Sequence, residues 1–212
     1  MNSNEKAWRE EKLAKTLREG GLAVMPTDTI YGIVARAEDP KAVERVYKVR
    51  GRDRKKPCII LIGRQSQLKK FSVRLSETQK RTLGRYWPGP VSVVLDCLSE
   101  KFSYLHRGTK TLAFRLPDEP ALRKLLLKTG PVCAPSANAE GAPPARNILE
   151  AKKYFGKKVD FYASGGESSA ESSIESGAES GAKGRLAPFR PNPRPSRVIR
   201  LKPDGSVDII RE

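Results

Sequence analysis

The residues of this chain best suited to chemistry are cations. From Lys48 to Lys56, six basic side chains and one acid, Asp53, fill nine positions, followed by Pro57 and the apolar run Cys58-Ile59-Ile60-Leu61-Ile62. A run that basic is not expected in a core, because burying unpaired charge costs more than folding recovers. An anion is its natural complement, most simply phosphate; a solvated loop is the other reading open to the stretch alone. Two polar stretches, Thr27-Asp28-Thr29 and Ser136-Ala137-Asn138, add hydroxyls and an amide, each directly after a proline. Arg115 closes a third candidate segment, Thr111-Leu112-Ala113-Phe114-Arg115. Together these groups outline a nucleotide site of unusual design. The common phosphate-binding signatures G-x-x-x-x-G-K-[ST] and G-x-G-x-x-G are missing, as are H-E-x-x-H and paired zinc ligands.

Other reactive side chains are few. His106 is the single histidine, which excludes a multi-histidine metal site, and its place between Leu105 and Arg107 reads as a loop. Cys58, Cys97 and Cys133 form no C-x-x-C pair and fall in or beside apolar segments. They read as buried, reduced and inert thiols.

The elements that must position these residues alternate. Amphipathic spacing predicts a helix over 5–19 and a second opened by Asp39-Pro40, with Ala42, Val43, Val46 and Tyr47 on one face, that leads straight into the basic stretch. Further helices are predicted from Ser76 to about Tyr86, over 118–128 and over 148–155. Strands are predicted at 22–25, 30–35, 58–62, 91–95, 111–115, 131–134 and 159–162, with a polar loop over 99–110. Two strands ending at prolines with small polar residues beyond them place the site at the carboxyl edge of an open sheet. The fold class is α/β: one domain, a twisted open mixed sheet flanked by helices. A tandem repeat over 167–182, Glu-Ser-Ser-Ala, Glu-Ser-Ser-Ile and two copies of Glu-Ser-Gly-Ala, interrupts it. The expected organisation is a catalytic core over 1–163, a disordered insertion over 164–194, and a strand pair over 195–212 that completes the core. Pro203-Asp204-Gly205-Ser206 supplies the turn of that pair.

Composition bounds the partners. With 212 residues, 41 Lys plus Arg against 24 Asp plus Glu and a formal charge of +17, the chain is expected to attract nucleic acid. No apolar run approaches the roughly 20 residues of a spanning helix. No signal-like stretch follows Met1, so the expected setting is cytoplasmic, without membrane.

Five stretches carry a resemblance: Pro26-Thr27-Asp28-Thr29-Ile30-Tyr31-Gly32, Lys48-Val49-Arg50, Lys56-Pro57, Thr111–Pro117 and Ala134-Pro135-Ser136-Ala137-Asn138. Their order and spacing resemble the YrdC-like family, which includes the L-threonylcarbamoyladenylate synthases. The resemblance covers residues 1–165 and resumes at Pro195-Ser196. It implies an enzyme that makes threonylcarbamoyl-AMP and pyrophosphate from L-threonine, bicarbonate and ATP. The product would serve tRNA N6-threonylcarbamoyladenosine modification through a separate threonylcarbamoyl-transferase complex. By matching position, Lys48 and Arg50 are the expected catalytic cations. Arg50, Lys56, Thr111, Ser136, Asn138 and Arg211 are expected at ATP, and Thr29, Arg115, Ala134 and Ser196 at threonine. Mg²⁺ is expected to arrive with ATP and keep phosphate and water ligands, without a protein-ligated metal. tRNA or double-stranded RNA is the expected macromolecular partner.

Three departures from the family pattern stand out. Leu61 replaces a histidine of longer members, 28 residues separate Gly166 from Pro195, and Arg197 follows Ser196. The chain stops at Glu212, which reads as the short form without an extra C-terminal domain. Two rival readings remain: a paralogue with another nucleotide-dependent reaction, and a non-catalytic binder of double-stranded RNA or tRNA. Lengthening a flexible loop costs only about 0.6 kcal/mol per doubling. Deleting 167–190 is therefore expected to leave synthesis largely intact, as measured by pyrophosphate release; loss of activity would make the insertion part of the site.

Overall fold

The computed structural model describes residues 3–163 and 194–212, with side chains from Glu10 onward. The repeat and nearly all of the expected insertion lie outside the described residues. Nine strands form one sheet: β1 (Ala23–Pro26), β2 (Tyr31–Arg36), β3 (Ile59–Leu61), β4 (Val91–Asp96), β5 (Thr111–Arg115), β6 (Val132–Cys133), β7 (Phe161–Tyr162), β8 (Arg197–Leu201) and β9 (Val207–Arg211). Their order is β7-β1-β2-β6-β3-β5-β4-β8-β9. The pairs β1–β7, β3–β5 and β4–β8 are parallel, and the others are antiparallel. The helices are α1 (Ser3–Arg18), α2 (Pro40–Arg50), α3 (Glu77–Leu83), α4 (Ser103–His106), α5 (Pro120–Thr129) and α6 (Ile148–Phe155). This is the flanked, open mixed sheet that the alternating pattern predicts.

Strand alternation divides the side chains between two faces. On one face Leu112, Phe114, Val93, Leu95, Ile60 and Ile62 join Val43, Val46 and Tyr47 of α2 in the main core. The Phe71 ring lies 5.3 Å from the rings of both Phe102 and Phe114. On the other face, Leu13 and Leu17 of α1 and Leu122 and Leu126 of α5 cover Ala23, Met25, Val34, Leu61 and Val132. That cover reaches only half of the sheet. Beyond it Ile59, Thr111, Ala113, Val94 and Val198 line an open cavity. The site therefore lies against a sheet face and also takes in Thr27, Thr29, Ala134, Pro135 and Ser136, the residues at the carboxyl ends of the proline-ended strands.

Local chemistry sets the element ends. The Asp39 carboxylate accepts from the backbone N–H groups of Lys41 and Ala42 at 3.0 and 3.1 Å, and Pro40 occupies the first turn of α2. Gly51 at φ 62° ends the helix in the left-handed region, which a glycine enters without steric cost. Lys48 and Arg50 thus fall in the last turn, where the helix dipole favours cations. The Ser76 helix ends at Leu83, earlier than predicted, as Gly84 takes the cap position. The expected loop over 99–110 instead holds a 3-10 turn and α4, which bury Phe102, Leu105 and His106. Gln65–Phe71 is a further 3-10 helix, pinned by buried Leu68 and Phe71, and Val159 lies outside β7.

Phe71 fills the space between two other rings, so Phe71→Ala leaves a void. We expect a loss of about 3–5 kcal/mol, read as a lower urea midpoint at unchanged slope.

Candidate active site

Several pieces of chain, Arg52 and Pro57 of the basic loop among them, wall a cavity of about 430 Å³ on the open sheet face. The β1–β2 turn contributes Thr27, Thr29 and Ile30; β5 contributes Thr111, Ala113 and Arg115; the strip after β6 contributes Ala134, Pro135 and Ser136; and the β8–β9 hairpin contributes Ser196, Val198, Ile210 and Arg211. The strip after β6 runs antiparallel beside β2: Ile33 N–H donates to the Pro135 carbonyl at 3.0 Å, and Ala137 N–H donates to the Tyr31 carbonyl at 2.9 Å. This pairing holds the two polar stretches of the sequence against each other.

The β1–β2 turn carries a buried ion pair into the cavity. Thr27 closes the turn by donating its hydroxyl to the Ile30 carbonyl at 2.7 Å, and its oxygen lies 3.1 Å from that of Thr29. Arg115 Nη2 donates to Thr27 Oγ1 at 3.3 Å and pairs with Asp28 Oδ1 at 2.9 Å. Both side chains of the pair are buried. Burial pushes the Asp28 carboxyl above its usual range by more than Arg115 lowers it, and burial lowers Arg115 against the support of Asp28. Neither charge is fully compensated. Arg115 Nε has no hydrogen-bond acceptor, although Arg115 lines the cavity. The guanidinium is thus held by its own protein on one side and left short of an acceptor. A carboxylate is a matching ligand for such a fork.

The second charged group surrounds Arg50. Although it belongs to the basic run, Arg50 is only 3% exposed. Its Nε donates to the Asn138 carbonyl at 2.9 Å, and Nη2 reaches Asn138 Oδ1 at 3.2 Å and Ser136 Oγ at 3.4 Å. The expectation that the whole basic run stays out of the interior is corrected here, because oxygens placed around the guanidinium replace its water. The Asn138 amide N–H groups are occupied by the carbonyls of Ala139 and Ala142, at 2.8 and 2.7 Å. Asn138 therefore serves as a clamp on Arg50 in this arrangement. Glu140 faces three cations: Lys56 Nζ at 3.0 Å and the Nη1 atoms of Arg50 and Arg52, each at 3.7 Å. Tyr47, its hydroxyl pushed up by burial, donates to the Lys56 carbonyl at 2.7 Å and fixes the far end of the basic loop.

Residues 15–183 match the Sua5/YciO/YrdC family model, described as telomere recombination. This chain belongs to that family. It is 34% identical over 162 residues to the threonylcarbamoyl-AMP synthase of Pyrococcus abyssi, covering 76% of this chain and 48% of that protein. It is 36% identical over 132 residues to the enzyme of the same name from Bacillus subtilis, covering 61% of this chain and 38% of that one. The crystal structure of P. abyssi Sua5 complexed with L-threonine superposes with a TM-score of 0.73 at 29% identity, covering 92% of this chain and 51% of that chain. The chain thus spans about half, or less, of the length of these relatives.

Of the positions expected from the Sua5/YciO/YrdC pattern, Thr29, Thr111, Arg115, Ala134, Ser136, Ser196 and Arg211 line one cavity. Ser196 Oγ lies 2.8 Å from Ser92 Oγ, and Arg211 donates to the Ser196 carbonyl at 2.6 Å. Arg50 and Asn138 sit behind Ser136, while Lys56 is exposed and reaches the cluster through Glu140. Lys48 is exposed, outside the cavity lining, and has no side-chain partner among the described residues. The structure does not bring it together with the others. Sequence reasoning missed Asp28, Arg52 and Glu140 as site residues. Asp28 stood inside a quoted motif, and Glu140 lies two residues after Asn138, but a lone acid carries no signal until its cations are located. Arg52 lines the cavity and donates to the Pro57 carbonyl at 3.0 Å. His106 is buried, its Nδ1 accepting from Gly108 N–H at 3.1 Å.

The raised Asp28 carboxyl gives a signed prediction. A carboxylate whose pKa is higher folded than unfolded supports the fold fully below its unfolded value, and this support is lost as pH rises through the folded value. The window opens near the ordinary value of about 3.9 and extends upward. Thermal unfolding of wild type and Asp28→Asn across it is expected to show wild type losing ground steadily as pH rises. A constant difference between the two would refute the assignment.

Proposed function

We propose that this chain carries the threonylcarbamoyl-AMP synthase reaction, joining L-threonine, bicarbonate and ATP with release of pyrophosphate. The observation that carries the reading is the placement of two separate arginine centres at one cavity: Arg115, which lines it beside Asp28, and the pair Arg52, which also lines it, and Arg50, buried directly behind Ser136. One centre suits a carboxylate and the other suits polyphosphate. Two curated relatives named for this activity, and a neighbour crystallised with L-threonine, support the activity reading.

In this reading Arg115 receives the threonine carboxylate, with Thr29, Ala134 and Ser196 shaping that end. Arg50 and Lys56 receive the ATP phosphates, and Thr111, Ser136 and Arg211 line the path between the ends. Asn138 acts mainly through Arg50, and Lys48 stands at the rim as a steering charge. The amine of threonine and bicarbonate give a carbamate, losing water; a carbamate oxygen attacks the α-phosphorus, and pyrophosphate leaves. Two anions must meet, so positioned cations lower the barrier more than a general base would. A Mg²⁺ arriving with ATP would keep mostly phosphate and water as ligands. The remaining basic surface would favour tRNA or double-stranded RNA, and a separate transferase complex would take the product.

Pyrophosphate release from ATP tests this reading. It is expected to require threonine and bicarbonate together and to fall by about a hundredfold or more in Arg50→Ala, on the scale of losing one charge-stabilising donor. Release indifferent to threonine would point to a different nucleotide-dependent reaction, and no release at all to an RNA-binding role.

A further inference from the structure

Glu140 occupies the place where the proposed reaction needs an anion. Its carboxylate faces Lys56, Arg50 and Arg52, yet only the Lys56 contact, at 3.0 Å, has hydrogen-bond length. The two arginine contacts, both at 3.7 Å, are ion pairs too long for hydrogen bonds. Arg50 Nη1 is consequently buried with no hydrogen-bond acceptor at all. A buried cationic donor in that condition is costly. Its other nitrogens are satisfied by Asn138 and Ser136, so the deficit points at Glu140 alone. One carboxylate spread over three cations also leaves a local excess of positive charge.

The backbone of Glu140 is held by hydrogen bonds, while its side chain reaches the surface. Glu140 N–H donates to the Arg50 carbonyl at 2.9 Å, and Ala142 N–H returns to the Ala139 carbonyl at 3.0 Å. Gly141 at φ 81° completes this turn. The side chain as a whole remains 30% exposed. A rotamer change could therefore vacate the cluster without moving the chain. Lys56 holds Glu140 below the usual carboxylate range, so the group is charged at neutral pH and competes as an anion.

We propose that Glu140 is the resident counter-anion of an oxyanion site formed by Arg50, Arg52 and Lys56, and that polyphosphate binds there by displacing it. The assignment deepens the ATP reading and rests on it for the identity of the natural ligand. A phosphate group offers enough oxygens to give each cation an acceptor, including the unsatisfied Nη1 of Arg50. A monoanion such as chloride or a lone carboxylate brings no more charge than Glu140 already does. The cluster thus selects multiply charged ligands, and threonine is left to Arg115. Return of Glu140 to the cluster would assist departure of pyrophosphate.

Calorimetric titration of the full chain with inorganic pyrophosphate tests the displacement directly. Glu140→Gln removes the competing charge, and is expected to bind pyrophosphate roughly tenfold more tightly than wild type, with a steeper loss of affinity as salt is raised. Glu140→Ser should behave likewise. Equal or weaker binding by folded Glu140→Gln would overturn the proposal, as would wild type that binds no pyrophosphate. Failure of both variants to fold would also overturn it, because a displaceable carboxylate cannot be required for folding. Tighter binding in Glu140→Gln, with no threonine-dependent pyrophosphate release by wild type, would support the site and reject the proposed reaction instead.

Discussion

A charge that has to be buried governs one side of the candidate site. Arg50 ends α2 with its guanidinium inside the protein, and such a group is tolerated only where oxygens replace its water. The Asn138 carbonyl and side-chain oxygen and the Ser136 hydroxyl do so, and Asn138 is itself locked by the carbonyls of Ala139 and Ala142. Satisfying one cation therefore dictates the path of residues 136–142. That path in turn pairs with β2, whose hairpin turn presents Thr27, Asp28 and Thr29. Arg115 follows the same logic from the sheet side, with Thr27 and Asp28 as its oxygens.

Neither arginine is made comfortable. Burial lowers the pKa of both, and each keeps a nitrogen without an acceptor. Removing either partner set would leave a bare charge, while completing the shell from within would leave nothing for a ligand to improve. Residual dissatisfaction of a rigidly held donor is what gives an anionic ligand differential binding. The apolar half of the domain supplies the rigidity: the rings of Phe71, Phe102 and Phe114 pack behind β5, directly beneath the strand that carries Arg115.

Much of this was legible in the sequence. The β-branched and apolar content of Thr111–Arg115 places Arg115 at the end of a strand, and Asp39-Pro40 marks the start of α2, whereas the continuation of that helix through Lys48 and Arg50 to the Gly51 cap comes from the structure. The strand pair over 196–210 is announced by Asp204-Gly205. What was hidden is long-range. Nothing local distinguishes Arg50, which is buried, from exposed Lys48 two positions earlier; the difference is a half-turn of helix relative to a core that only tertiary packing defines. The same holds for Glu140, whose partners lie 84 or more positions away for Lys56 and 88 for Arg52 and 90 for Arg50 in order along the chain. The loop over 99–110 was misjudged because Phe102 and Leu105 are scattered apolar residues without a full helical period, and tertiary burial overrode weak local preference.

The β8–β9 hairpin has a consequence for how the molecule is made. Ser92 and Ser196 meet across 104 residues, and β8 pairs in parallel with β4. On a ribosome, β4 and β5 emerge and pair long before the hairpin exists, leaving the β4 edge with Val91 to Val94 unsatisfied in the interval. An open apolar edge invites pairing with other chains, and closing so distant a contact is slow. The hairpin is thus a late-arriving seal, which both completes the cavity wall and retires the stickiest edge of the nascent protein.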